Sequence, residues 1–310
     1  VLNNGFVDDV ALKRYIRFAA QRSPALKYLL LFGDATHDYR EADYNEREGK
    51  GDGKNYRILI PIHWIYNPAT TWSGGYADDN WYASFTAVNS PDLAVGRIPA
   101  NNDEEGFEYL RKVIEHEMLQ RRRSRGGLLV SSVEKSFQDL IRETAARFEQ
   151  NQTSVTILFP EAKEATTEVQ KLRDAIDAGI EMLYYVGHGG AMVWRVGPTD
   201  YKSQKDLFTP KDIATLKNRS YPVIVATSCY TTSFDFDLSQ GEAFVLQPGG
   251  GAIAVIGAPW KGTVHDGHRF NSRFFEAYFE PETVRLGQAM LAAKKSLQFG
   301  YSGGIDFQTY

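Results

Sequence analysis

The chain has 310 residues, 43% of them apolar and 24% charged, with a formal net charge of −4; this is ordinary for a globular protein of one large or two smaller α/β units. The acidic balance argues against non-specific nucleic-acid binding, and no apolar run reaches the roughly 18–20 residues of a membrane span. A single cysteine excludes an internal disulfide framework and a multi-cysteine zinc cluster, and leaves the compartment open. Val1, with no starting Met and no signal peptide, reads as the start of a processed or excised chain.

In chain order, helical spacing covers 8–21, with Val10, Tyr15, Ile16, Phe18 and Ala19 toward one side. A strand over 26–32 follows and closes on Gly33-Asp34. The polar stretch 35–54 reads as a long loop, 57–62 as a short strand and 64–75 as a second loop. Residues 92–99 give a strand and turn. Asn101 or Asn102 then caps a long helix from 103 to about 123, acidic in its first turn and basic in its last. The pattern restarts with a strand at 127–131, a helix at 137–151, a strand at 155–159 and a helix at 166–178. Strands at 181–186, 221–228 and 252–256 follow, with short helices at 209–217 and 242–246 between them, and helices at 270–279 and 283–299 close the chain. Such alternation predicts mostly parallel sheets flanked by helices. The basic run Arg121-Arg122-Arg123-Ser124-Arg125, read as a solvated connection, separates a first α/β subdomain over 1–124 from a second over 125–310.

Two of these strands end in reactive side chains. One runs into Gly187-His188-Gly189-Gly190, the other through Thr227-Ser228 into Cys229. Ligands of open α/β sheets bind at the carboxyl ends of strands. Neighbouring strands lie about 4.8 Å apart, so a histidine and a cysteine placed there suit a thiol nucleophile and its base. Alone, Cys229 reads as a small buried hydrophobe and His188 as a turn residue satisfied by backbone. The glycines flanking His188 permit close backbone approach, and the N–H of Gly189 with that of Cys229 suits an oxyanion hole.

Together these residues resemble a known family. Tyr185-Val186-Gly187-His188-Gly189-Gly190 followed by Ala226-Thr227-Ser228-Cys229 is similar to the gingipain-type cysteine peptidases of the caspase-like clan. Leu29-Leu30-Leu31-Phe32-Gly33-Asp34, Tyr76-Ala77-Asp78-Asp79 and Asp92-Leu93-Ala94-Val95-Gly96-Arg97-Ile98-Pro99 extend the match through the first half. Ser239-Gln240-Gly241-Glu242 and Gly250-Gly251-Ala252-Ile253-Ala254 extend it through the second. The resemblance implies a caspase/gingipain-like α/β fold in two subdomains, with Cys229 as nucleophile and His188 as general base and acid. It also implies an acidic residue orienting the histidine from the loop Ser131-Ser132-Val133-Glu134-Lys135-Ser136, where Glu134 is the candidate. The acidic residue that holds a basic P1 side chain has no counterpart, so trypsin-like cleavage is not expected. Within the family the chain is most similar to sortase-like members of the type IX secretion system. That implies a bacterial extracellular or cell-surface protein acting on peptide or protein substrates. Other segments of a larger precursor, or secretion-system components, are the implied partners. Family members carry one or two strands before the helix that begins here near Asp8, so the first subdomain is expected to lack its N-terminal strands.

Further candidates each carry two readings. Trp260, with Ser228 and Tyr230, lines a substrate pocket, or Trp260 simply packs. Asp34, His37, Asp38, Asp78 and Asp79 hold a structural calcium, or cap turns; no cofactor is otherwise required. His265, Asp266 and His268 are weak metal candidates. Asp235 and Asp237 line the cleft or solvate their loop, and Glu242 supports the cysteine loop or a helix N-terminus. Gly187-His188-Gly189-Gly190 lacks the Lys-Ser/Thr of a phosphate loop, so nucleotide binding is unsupported. Two function classes stand: a cysteine endopeptidase with possible transpeptidation, and a catalytically weak or inactive peptidase-like scaffold.

Overall fold

Five apolar runs pair into one parallel sheet that forms the centre of the second half. The computed structural model describes residues 8–35, 59–66, 75–86, 90–120, 126–161, 165–197, 206–233, 238–297 and 308–309. The first half comprises α1 (Asp9–Arg22), β1 (Tyr28–Phe32), β2 (Trp64–Tyr66), β3 (Gly75–Ala77), α2 (Asn80–Ala83), β4 (Ala94–Ile98) and α3 (Asp103–Gln120). The second begins with β5 (Gly127–Ser131), α4 (Lys135–Gln150), β6 (Val155–Leu158), α5 (Ala165–Ala178) and β7 (Met182–Val186). A small meander follows: β8 (Gly189–Gly190), β9 (Val193–Arg195) and β10 (Asp206–Phe208). The chain closes with α6 (Pro210–Ile213), β11 (Val223–Thr227), α7 (Gln240–Leu246), β12 (Ala254–Gly257), α8 (Val264–Tyr278), α9 (Leu286–Ser296) and β13 (Gln308–Thr309).

The main sheet has the order β13-β12-β11-β7-β5-β6; all its pairs are parallel except β12 with β13. Strands β5, β7, β11 and β12 are buried on both faces, so they read as continuous apolar runs, whereas edge strand β6 is half exposed. Alternation still sorts them: Leu128, Val130, Leu183, Tyr185 and Ile224 join the core that contains α5 and α7. Leu129, Met182, Tyr184, Val186 and Val225 face Phe137, Ile141 and Phe148 of α4 and Phe270, Phe274 and Phe275 of α8. Strand order reverses around β5, and the carboxyl ends at such a switch point are where α/β sheets bind ligands.

In the first half, β1 and β4 pair in parallel, and Leu31 of β1 and Leu93 just before β4 pack against Ile16 of α1 and Tyr82 of α2. Arg97 of β4 is buried; its Nε and Nη2 each donate to Asp79 at 2.7 Å, and Nη1 donates to the Gly33 carbonyl at 2.8 Å. Gly33 has φ +144°, and a Cβ there would lie 2.5 Å from Cβ of Leu59, so the turn demands glycine. From α3, Tyr109 donates to the Ile253 carbonyl at 2.8 Å and Lys112 to the Val245 carbonyl at 2.7 Å, while Tyr221 donates to Glu115 at 2.6 Å. These bonds fasten α3 to the second half.

The expected strand over 57–62 does not form within its described part, 59–62, and the expected loop over 64–75 begins and ends in strand. There β2 and β3 make an antiparallel pair. Its approach is so close that a Cβ on Gly75 would lie 2.3 Å from the Ile65 carbonyl oxygen. Most of the long loop, the basic run and the expected subdomain boundary lie outside the described residues.

Candidate active site

Register places three side chains in a row. Val186 of β7 pairs with Ser131 of β5 on one side and Thr227 of β11 on the other. His188 and Cys229 therefore leave adjacent strands at matched positions, two residues past Val186 and Thr227. Glu134 leaves the strand on the far side of the histidine. Its residue is the N-cap of α4, yet the side chain makes no capping bond. Instead Glu134 Oε1 lies 3.0 Å from His188 Nε2. With Nε2–H donated to the carboxylate, Nδ1 keeps its lone pair, which is the tautomer a base for the thiol requires. The imidazole also rests edge-on against Phe137 of α4, centroids 5.2 Å apart.

The histidine backbone is held as firmly. Its N–H donates to Ser132 Oγ at 3.1 Å, and the Tyr185 hydroxyl lies 2.7 Å from its carbonyl oxygen. Arg195 N–H donates to that same carbonyl at 2.9 Å. His188 and Arg195 are thus a hydrogen-bonded pair, which makes Gly189 and Trp194 a non-bonded one. The Gly189 N–H therefore points away from β9. No side chain fits at 189, where a Cβ would lie 2.1 Å from Ser228 Oγ. Ser228, expected to line a pocket, is buried against this glycine. Gly187 is similarly confined, since a Cβ there would lie 2.2 Å from Ser132 Oγ.

Cys229 is partly exposed, with its thiol 3.7 Å from the Gly262 carbonyl oxygen. Packing around the sulfur pushes the thiol above its ordinary range, against the pull of the Gly262 backbone, Lys261 and its own N–H. That direction disfavours a thiolate at rest. The next residue, Tyr230, sits at φ +59°, a left-handed conformation in which non-glycine side chains are strained. Its N–H donates to the Trp260 carbonyl at 3.1 Å, and the two rings meet edge-on at 5.3 Å, with Tyr76 of the first half 6.3 Å beyond. Trp260, Tyr230 and Tyr76 thus form an aromatic row that begins at the residue after Cys229. Sequence reasoning missed Tyr76, because nothing in its local pattern announces the long-range contact.

The carboxylates weighed for calcium have other duties. Asp79 is bound bidentately by Arg97, and Asp78 Oδ1 accepts from the Asn80 backbone at 2.9 Å and its amide at 3.0 Å. Asp34 faces Glu242. His37, Asp38, Asp235 and Asp237 lie outside the described residues. Asp266 receives the Thr263 hydroxyl at 2.5 Å, and His268 lies 3.6 Å from Glu143. Among the described residues no three His, Cys, Asp or Glu side chains gather as a metal site, and no helix is long and apolar enough to cross a membrane.

The model of "Peptidase family C25" matches residues 1–308. The chain is a member of peptidase family C25. The crystal structure of the Arg-specific cysteine proteinase gingipain R superposes with a TM-score of 0.72 at 16% identity, over 98% of this chain and 67% of that one. A complex of Porphyromonas gingivalis RgpB pro- and mature domains gives 0.66 at 16% identity, over 92% and 67%. A structure described only as a protease gives 0.69 at 16% identity, over 99% and 69%. These likenesses establish a gingipain-like fold for the family C25 chain. An uncharacterized protein of Archaeoglobus fulgidus is 24% identical, over 63% of this chain and 53% of its own length. The chain thus spans about half of the curated relative it matches.

Proposed function

We propose that this family C25 chain is a cysteine endopeptidase in which Cys229, His188 and Glu134 act as one unit. The alignment of these three on consecutive strand ends, with Glu134 on Nε2, carries the reading. As the thiol attacks a peptide carbonyl, its proton passes to His188 Nδ1 and an S–C bond forms. The negative charge that develops on the carbonyl oxygen meets the N–H groups of Gly189 and Cys229. Protonated His188 then gives its proton to the leaving amine as the C–N bond breaks, leaving a thioester. Water, deprotonated by the same histidine, releases the acid; an amine taking that place would complete the transpeptidation expected of a sortase-like, surface-acting member. The raised thiol favours this concerted transfer over a resting ion pair. The aromatic row of Trp260, Tyr230 and Tyr76 suits an apolar P1 side chain.

Inactivation by peptidyl acyloxymethyl ketones tests this, with wild type compared against Cys229→Ala and His188→Ala. Stoichiometric labelling of Cys229, fastest for an apolar P1 and slowed without His188, is expected. Adding a peptide amine to a cleaved substrate separates hydrolysis from transfer. Labelling no faster than that of a free thiol, for every P1, would overturn the peptidase in favour of a scaffold.

A further inference from the structure

The first turn of α7 is bonded both to the hairpin that follows His188 and to the loop that follows Cys229. Its Gln240 N–H donates to the Ala191 carbonyl in the His188 hairpin at 2.5 Å, and its Gly241 N–H to the Thr231 carbonyl in the Cys229 loop at 2.8 Å. Ser239 and Glu242 close a capping box around this turn: Ser239 N–H reaches Glu242 Oε2 at 2.5 Å, and Glu242 N–H reaches Ser239 Oγ at 3.2 Å. The other carboxyl oxygen, Glu242 Oε1, is buried without a donor, and so is Oδ1 of Asp34, which comes from the turn after β1 in the first half. Asp34 and Glu242 lie within hydrogen-bond reach of each other. Two orphaned acceptors in contact are satisfied by one proton. The charged groups acting on the pair are Arg97, itself held by Asp79, and Glu105, both on the Asp34 side.

We propose that Asp34 is a positioning residue for the dyad: the proton it shares with Glu242 ties the first turn of α7, and through it the His188 hairpin and Cys229 loop, to the first sheet. The inference rests on the peptidase reading only for its consequence in catalysis. Burial supports the shared proton, raising Asp34 to about 6 and Glu242 well above its ordinary range. Both folded-state values are raised, so the bond is fully present at acid pH and is lost as pH climbs through them.

Backbone amide exchange at Gln240 and Gly241 reads the tie directly. Asp34→Ala, which keeps the capping box, is expected to speed that exchange about tenfold, the scale of one lost buried hydrogen bond, while leaving β7 amides unchanged. Glu242→Gln is expected to preserve slow exchange, because its amide keeps an acceptor for Ser239 and offers Asp34 a fixed N–H. The exchange ratio of wild type to Glu242→Gln should grow as pH climbs through about 6 and above, since only the wild-type bond can lose its proton. Equal exchange in Asp34→Ala and wild type, or a flat ratio, would overturn the proposal. Asp34→Ala should also lower the maximal rate of ketone inactivation with half-saturation unchanged, and a change confined to half-saturation would count against the proposal. Should no peptidyl ketone label the wild type, the peptidase reading falls while the exchange data still decide the tie.

Discussion

At the scale of single residues, the site depends on where Glu134 spends its carboxylate. Although it stands at a helix N-cap, its side chain makes no capping bond and lies instead 3.0 Å from His188 Nε2, where an ionised carboxylate favours the tautomer that carries its proton on Nε2. Glu134→Leu removes the acceptor and keeps the volume, so the maximal rate of ketone inactivation should fall about 100-fold, with half-saturation preserved. Retained rate would mean that Phe137 and the backbone bonds orient the ring unaided. The pair Arg97–Asp79 tests a structural role. Both side chains are almost wholly buried, so Arg97→Met strands a charge and should cost about 3–5 kcal/mol in urea unfolding, much of it recovered in Arg97→Met/Asp79→Leu. No recovery in the double variant would show that Arg97 acts chiefly through the Gly33 carbonyl.

At the scale of elements, α7 is held at both ends by the first half: Asp34 at its first turn, and Lys112 donating to the Val245 carbonyl at its last. Burial, reinforced by Arg111, lowers Lys112 from 10.5 to about 7. The unfolded chain therefore binds the extra proton between those values, so this group adds stability as pH rises from about 7 toward 10.5. Lys112→Met should lack that rise, seen as the difference between the two stability curves from about pH 7 upward; parallel curves would refute the assignment. Elements were legible in proportion to how local their signals are. The runs at β5, β7, β11 and β12 announce themselves because burial on both faces permits no polar interruption. The hairpin β8–β9 did not, because Gly189-Gly190 carries no strand propensity and its pairing is imposed by the loops around it. The β2–β3 pair hid for a like reason, its strands only three residues long. His188 and Cys229 were visible as punctuation at strand ends, and Glu134 through family resemblance. The partnership of Asp34 and Glu242 was not, since only tertiary folding brings such distant positions together.

At the scale of the whole molecule, hydrogen bonds from α3 and Asp34 and a ring contact from Tyr76 reach across the two halves, and several end on elements that carry the site. The halves should accordingly unfold as one cooperative unit. Calorimetry should give a single transition with equal calorimetric and van't Hoff enthalpies, and two resolved transitions would show that the first half is an independent module. Such coupling means that substitutions near Asp34 or Lys112, far along the chain from Cys229, belong in any search for residues that tune the site.

The solitary sulfur has a further consequence. Cys229 is the one thiol in 310 residues, so an oxidising milieu cannot trap the chain in a wrong internal crosslink. The same solitude leaves no resolving partner within these residues. A sulfenic acid formed on Cys229 could be recovered only by a thiol arriving from outside, and further oxidation to the sulfinic form would be a terminal loss. Its lifetime would then be set by the redox chemistry of its surroundings as much as by the strength of its fold.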